Sequence, residues 1–369
     1  MLLKVGDILV STTRPYRGAI ASVPPELDGT IGSTGFAVIR KVISKVERGY
    51  LLTFLHSRFG LAQMERRMSG SNYPAITQEK LAKVKVPIPP RPIQDAIADK
   101  MDAAYRRKRE LEAEAEALLE GIDGYVLGEL GVELPDLEED QQFVQWAASV
   151  RSGRLDPYYH LPKFERAEEA VSSGSHELRD LGEFVTDIKY GASVKNIYVQ
   201  NGIPLLRITN LKPNEIDLSE IVQLTPELED AVGSAYVREG DLLISRSGTI
   251  GTVAVVPQEA DGFAYGSFMI RFRVKTDLLA PQYVSFVCNS PIGQLHFQRN
   301  RIGAVQRNIT ILSIKALKIP VPLLNRQREI AAEGQARRER AQALQEKARR
   351  ILAEAKAEVE RMILGEAEG

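Results

Sequence analysis

A single cysteine in 369 residues, Cys288, leaves no possibility of a disulfide framework within the chain. It lies in the apolar run YVSFVCN, where a buried packing role in a reducing cytoplasm is expected. No stretch approaches the ~18 consecutive apolar residues of a membrane span. The N-terminal MLLKVGDILVSTTR has no small-residue cleavage site and enters a strand pattern at once, so no secretory signal is indicated. Net charge is also lacking: 48 Lys and Arg face 49 Asp and Glu, for a balance of −1. That argues against a polycation that coats nucleic acid. Local basic surfaces remain open, because a phosphate contact needs only a few placed cations. Recognisable catalytic parts are missing too. His56, His160, His176 and His296 are scattered without metal-site spacing, and there is no phosphate-binding GxxxxGK[ST], glycine-rich dinucleotide loop or G-x-S-x-G elbow. In a chain long enough for two or three domains, this favours a binding or scaffold protein over an enzyme.

What the chain does contain, it contains twice, about 233 positions apart. LKVGDILVS (3–11) returns as VREGDLLIS (237–245), and KVPIPPRPIQDAIA (85–98) returns as KIPVPLLNRQREIA (318–331). Pro87, Pro89 and Gln94 thereby fall on Pro320, Pro322 and Gln327, and NYPAIT (72–77) lies over QRNIT (306–310). A period this long denotes a pair of related domains rather than a solenoid.

Along residues 1–90, the runs DILVS, FAVIRKVI and GYLLTFLHS read as short strands between polar turns. Four prolines between 87 and 92 then announce a helix. Its apolar positions recur at helical spacing through Ile93, Ile97, Met101, Ala104, Leu111, Ala115, Leu118, Ile122 and Val126, and Gly131 closes it. At ~1.5 Å per residue such a rod approaches ~60 Å. Residues 132–154 read as an acidic linker followed by a short helix, and a second domain with strand-like PLLRIT, DLLIS, TVAVVP and MIRFRV occupies 155–322. A second rod follows in 323–369 through Ile330, Ala341, Leu344, Ala348, Ile351, Ala355, Val359 and Met362. Neither narrow, alanine-rich stripe can be buried alone, so the rods are expected to pack on each other. The copies are unequal: 85 residues separate Leu155 from Gly240, whereas five precede Gly6.

Three sets of residues are candidate contacts for nucleic acid. The first follows the repeated strands: Arg14 and Arg17 in the first copy, and Arg246, Ser247 and Thr249 in the second. Arginine can chelate guanine O6 and N7, although a polar hairpin connection would look the same. The second set is Asn72 and Tyr73 with Gln306, Arg307 and Asn308, suited to adenine edges or else to capping. The third belongs to the second copy alone: Lys189, Tyr190, Lys195, Arg207, Thr209, Asn210 and Lys212. Basic residues interleaved with Tyr, Thr and Asn fit a nucleic-acid face, with a solvated surface as the alternative. On the rods, Tyr105-Arg106-Arg107-Lys108 and Arg337-Arg338-Glu339-Arg340 are either partner-binding faces or simply solubilising ones.

These motifs together, with RLDPYYHLPKF opening the second module, resemble the specificity subunit of type I DNA restriction–modification systems. The resemblance rests on residues 6–11, 87–98, 154–164, 240–245 and 319–331. It implies an α+β architecture: two mixed α/β target-recognition modules, one of them partial, joined by two long helices packed antiparallel as a coiled coil. It further implies that the chain does no chemistry and needs no cofactor. Its partners would be double-stranded DNA, DNA adenine methyltransferase subunits that use S-adenosylmethionine, and an ATP-dependent restriction subunit, all in the cytoplasm and without a membrane. The first module lacks the counterpart of LLRITN, so the second is expected to be the competent reader; a fully specified bipartite methylation motif would overturn that. The competing reading is a coiled-coil adaptor that binds protein.

Overall fold

The structure is a computed structural model that describes residues 1–137, 143–144, 154–195, 197–303 and 307–366. It divides into two compact units, Met1–Ala117 with Arg340–Gly369, and Leu118–Glu339.

In the first unit β1 (Ile8–Ser11) is flanked by β2 (Ile20–Ser22) and β3 (Phe36–Ile39) in an antiparallel sheet of order β2-β1-β3. GYLLTFLHS, expected as a strand, is instead α1 (Arg48–His56), followed by α2 (Arg58–Glu65) and α3 (Gln78–Leu81). The reason is spacing. Tyr50, Phe54 and Leu55 are all buried, which puts them on one helical face, and the Glu47 carboxylate caps the helix by accepting from the Tyr50 amide. Only the first half of FAVIRKVI pairs as a strand, because Arg40 turns away to bind Asp7.

The second unit opens with α5 (Pro162–Ser172), β4 (Leu178–Asp180) and β5 (Val185–Tyr190). Then come β6 (Tyr198–Val199), β7 (Ile203–Leu206), the hairpin β8 (Leu211–Lys212) and β9 (Glu215–Ile216), β10 (Val222–Leu224) and α6 (Glu229–Val232). The repeated portion supplies β11 (Leu242–Ser245), β12 (Val253–Val255), β13 (Ala264–Tyr265), β14 (Met269–Val274), α7 (Pro281–Asn289), α8 (Pro291–Arg299), α9 (Ile311–Lys315) and β15 (Lys318–Pro320). One sheet has the order β12-β11-β14-β5 and the other β13-β7-β10-β6. Strand β11 is covered on both faces. Leu242 and Ile244 join a core with Phe272, Tyr283 and Val287, while Leu243 joins Leu205, Leu224, Val237 and Tyr265. A continuous apolar run is what a doubly covered strand requires. In the first unit Ile8 and Val10 are buried but Leu9 is only half-buried, so the equivalent strand is covered on one face.

The repeated motifs prove to be architectural. Gly6 and Gly240 take φ of 79° and 81°, and the aspartate after each closes the turn by accepting the amide three residues back, Lys4 at 2.9 Å and Arg238 at 2.8 Å. Each buried aspartate also binds an arginine from the neighbouring strand segment, Arg40 just after β3 or Arg273 on β14. The Tyr50 and Tyr283 hydroxyls donate to the Pro87 and Pro320 carbonyls, both at 2.7 Å. Gln94 donates to the carbonyls of Lys45 and Pro89, and Gln327 to those of Leu278 and Pro322. Gly60 and Gly293 permit a tight helix-to-helix corner, where a Cβ would stand 2.4 Å from the Phe54 oxygen or 2.3 Å from the Cys288 oxygen. Cys288 itself is fully buried on α7, which pushes its thiol pKa up to about 12.

Two long helices complete the fold, α4 (Arg91–Glu129) and α10 (Leu324–Leu364). Within the first unit Ile97, Met101 and Ala104 share a core with Ala355 and Val359. Within the second, Ile122 and Val126 share one with Ile330 and Ala331. The beginning of α4 thus meets the end of α10 in one unit, and the converse holds in the other, so the pairing is antiparallel in both. Each helix ends in a left-handed glycine with the amide two-step of a Schellman motif: Val132 N to Leu127 O at 2.9 Å, and Glu366 N to Arg361 O at 3.0 Å. Among the described residues no helix is long and apolar enough to cross a membrane.

Candidate nucleic-acid interface

In the first unit a β-bridge from Thr13 to Ala75 joins the loop after β1 to the segment before α3, and Ala75 also bridges Ser69. Residues 8–25 and 66–77 contain no carboxylate but carry Arg14, Arg17, Arg66 and Arg67. The Arg14 guanidinium lies over the Tyr73 ring, 5.7 Å from its centroid, and Tyr73 is 76% exposed. Arg17 and Asn72 are exposed beside them.

In the second unit Ser247 and Ile302 bridge Asn308 in the same arrangement. This sets the register of the two copies: Asn308 corresponds to Ala75 and Arg307 to Pro74, as in the alignment of NYPAIT with QRNIT on their shared Ile-Thr. Residues 278–328 carry seven Lys and Arg side chains and no carboxylate. Arg246 stacks on Tyr190, with 4.8 Å between guanidinium carbon and ring centroid. The ring is delivered by β5, which is fastened to β14 by an ion network. Arg271, 2% exposed, binds Asp187 at 2.7 Å and lies 3.6 Å from Asp241. The hydrogen bond from Arg271 holds the Asp187 carboxyl below its ordinary pKa, against the opposing effect of burial.

The third candidate set is tied to Arg246 through the turn at 266–268. The Gly266 amide donates to Leu206 O at 3.1 Å and the Arg246 amide to Phe268 O at 2.9 Å. Lys189, Lys195, Thr209, Lys212, Thr249 and Arg307 are exposed, whereas Arg207 and Arg246 are half-buried with their Nε atoms unpartnered. Two expected readers drop out. Asn210 is buried, with its amide nitrogen committed to the carbonyls of Asp217 and Glu220, and Ser247 is 2% exposed at the Asn308 bridge. Both shape the loops from within. Gln306 lies outside the described residues.

Sequence reasoning missed Phe268, 52% exposed beside Arg246, and a cluster that braces Arg301. Arg154 Nη2 donates to Arg301 O at 2.7 Å, and the Arg301 guanidinium sits 3.6 Å from the Tyr158 ring centroid. Arg299 lies over Tyr159 at 4.6 Å. RLDPYYH is therefore part of the support of Arg301, a pairing across more than 140 residues that no local pattern reveals. On α10, Arg337 and Arg338 are not free for a partner. Arg337 donates to Gly121 O at 3.0 Å, and Arg338 Nη2 binds Glu215 at 2.6 Å.

His296 donates to Ser313 O at 2.8 Å, and burial lowers its pKa, only partly offset by that hydrogen bond. A histidine with a depressed native pKa takes up its proton more readily in the unfolded chain, so stability falls as pH drops below about 6.5. The thermal midpoint should decline between pH 7.5 and 5.5, and His296→Gln should flatten that decline; an equal slope in the variant would disprove the assignment.

The model of the type I restriction modification DNA specificity domain family matches residues 2–121 and 174–333. The specificity subunit of the type I restriction enzyme EcoBI of Escherichia coli is 19% identical over 349 residues, covering 89% of this chain and 71% of that one. The EcoKI specificity subunit of Escherichia coli K12 is 22% identical over 290 residues, 76% of this chain but 56% of its own length. A solved structure concerned with complex assembly and conformational transition of the type I R-M system resembles this fold with a TM-score of 0.58 at 24% identity, over 99% of this chain and 83% of that one. With more than half its length matched by that family, the chain belongs to the type I restriction–modification specificity subunits, the DNA-recognition and non-catalytic members of those systems.

Proposed function

We propose that residues 1–90 and 155–322 are two target-recognition modules, which direct a partner methyltransferase to a split double-stranded DNA site. Residues 91–131 and 323–369 form the spacer helices and 132–154 the linker. In the second module Arg246 and Arg307 read base edges in the major groove, with Tyr190, Thr209 and Thr249 beside them. Lys189, Lys195, Lys212 and Arg207 hold phosphates, which fixes register without carrying sequence. In the first module Arg14, Arg17, Asn72 and Tyr73 take the corresponding roles. The observation that carries this reading is Arg246, stacked on Tyr190 with an unpartnered Nε, within residues 242–258, which contain no carboxylate. A desolvated, pre-oriented guanidinium is suited to bidentate recognition of guanine.

The chemistry belongs to the partners. A DNA adenine methyltransferase using S-adenosylmethionine docks on the spacer helices, and an ATP-dependent restriction subunit joins where the system cleaves. The assembly works in the cytoplasm. Binding of duplex DNA to the complex should weaken roughly 100-fold between 50 and 200 mM salt, as expected for about four phosphate contacts. A protein-binding adaptor would give a flat salt response and leave methylation equally unspecific with and without this chain.

A further inference from the structure

The two modules differ at one backbone position whose geometry favours glycine. Thr13 and Ser247 make equivalent bridges, to Ala75 and Asn308, so the residues that follow them correspond. In the second module that residue is Gly248, with φ 76°. In the first it is Arg14, with φ 50° and ψ 52°, one of two non-glycine residues with positive φ among those described. The left-handed region strains an L side chain, and such strain persists where surrounding structure enforces it and function retains it. Here the enforcement is visible. The Arg14 amide donates to Pro74 O at 2.8 Å, and its carbonyl accepts from Arg17 N at 3.0 Å.

The strained backbone aims the guanidinium onto Tyr73, whose ring is largely in solvent. In the second module the stacked arginine is Arg246, from two positions earlier in the loop, and its ring comes from β5. The modules therefore build one device, an arginine laid on a tyrosine, from non-equivalent residues. A surface arginine kept only for solubility has no reason to occupy the position where the other copy has glycine.

We infer that Arg14 is a specificity-determining residue of the first module, pre-oriented by Tyr73 to chelate a guanine edge. This rests on the DNA-reading function proposed above. It assigns to the first module a base contact of its own, contrary to the expectation that only the second reads.

The test uses the complete subunit with its partner methyltransferase, in wild-type form and with Arg14→Gly, Arg14→Ala and Arg14→Lys. Thermal midpoints and the methylated motif are both read. Arg14→Gly should melt no lower than wild type and roughly 2–4 °C above Arg14→Ala, because alanine keeps the strain without the side chain. Glycine and alanine should both abolish the preference at one base pair of one half-site while the other half-site stays intact. Lysine should relax that preference with little loss of total DNA binding. An unchanged motif in Arg14→Gly overturns the inference, as does a midpoint below wild type with loss of both half-sites. A wild-type complex without any sequence preference would instead refute the underlying DNA-reading function, and the inference with it.

Discussion

Gln327→Leu should destabilise the second unit by about 3–6 kcal/mol, a large fraction of the stability of a typical domain. Gln327 is fully buried and serves three backbone groups. It accepts from Ala280 N at 2.8 Å and donates to Leu278 O at 3.0 Å and Pro322 O at 2.9 Å. Leucine matches its size but satisfies none of them, and each orphaned buried group costs ~1–3 kcal/mol, with less than full additivity. Gln94→Leu should act likewise in the first unit, where the amide serves Glu47 N, Lys45 O and Pro89 O. Hydrogen exchange separates the two: Gln327→Leu should deprotect the Ala280 amide and leave that of Glu47 protected, and Gln94→Leu the reverse. Unfolding midpoints equal to wild type would show that these networks do not hold the units together.

Arg246→Ala should rewrite one half of the recognised DNA sequence without dissolving the complex. A bidentate arginine–guanine pair contributes ~1–3 kcal/mol of discrimination, so the preference at the affected base pair should fall about 10- to 100-fold. The fold loses little, because the guanidinium stacks on Tyr190 from a loop and its Nε has no partner. Arg246→Lys keeps the charge but cannot reproduce the planar fork, so it should relax the same position. Arg307→Ala should alter the motif at a different position, since Arg307 is exposed on another loop. Methylome sequencing of cells carrying each variant with the partner methyltransferase reads all three. Wild-type motifs in both alanine variants, with folding intact, would remove these arginines from the reading surface.

The two outcomes divide along the line between what recurs in the chain and what does not. Gly-Asp, Pro-x-Pro and the glutamine after them stand out in the sequence because each closes hydrogen bonds of fixed local geometry. Asp7 reaches back three residues and Gln94 five, to Pro89. The helical stripes were legible for a similar reason, since a 3.6-residue period lies within one element. The helix over Arg48–His56 was not. Its apolar aromatic composition suits a strand as well, and the choice followed from Tyr50 and Phe54 being buried together against Ile97 and Met101.

By itself, the sequence determined that there are two related modules, two amphipathic rods and a family of DNA-recognition subunits, because all of these are written in repeated, local patterns. Tertiary structure alone decided which polar residues face outward. It took Asn210 and Ser247 inside, spent Arg337 and Arg338 on internal partners, and set Arg246 on Tyr190 and Arg301 on Tyr158. It also placed Arg14 in a left-handed conformation over Tyr73. Apart from Asn210, whose partners lie 7 and 10 positions along the chain, these pairings join residues from 56 to 216 positions apart, and only chain folding creates such proximity.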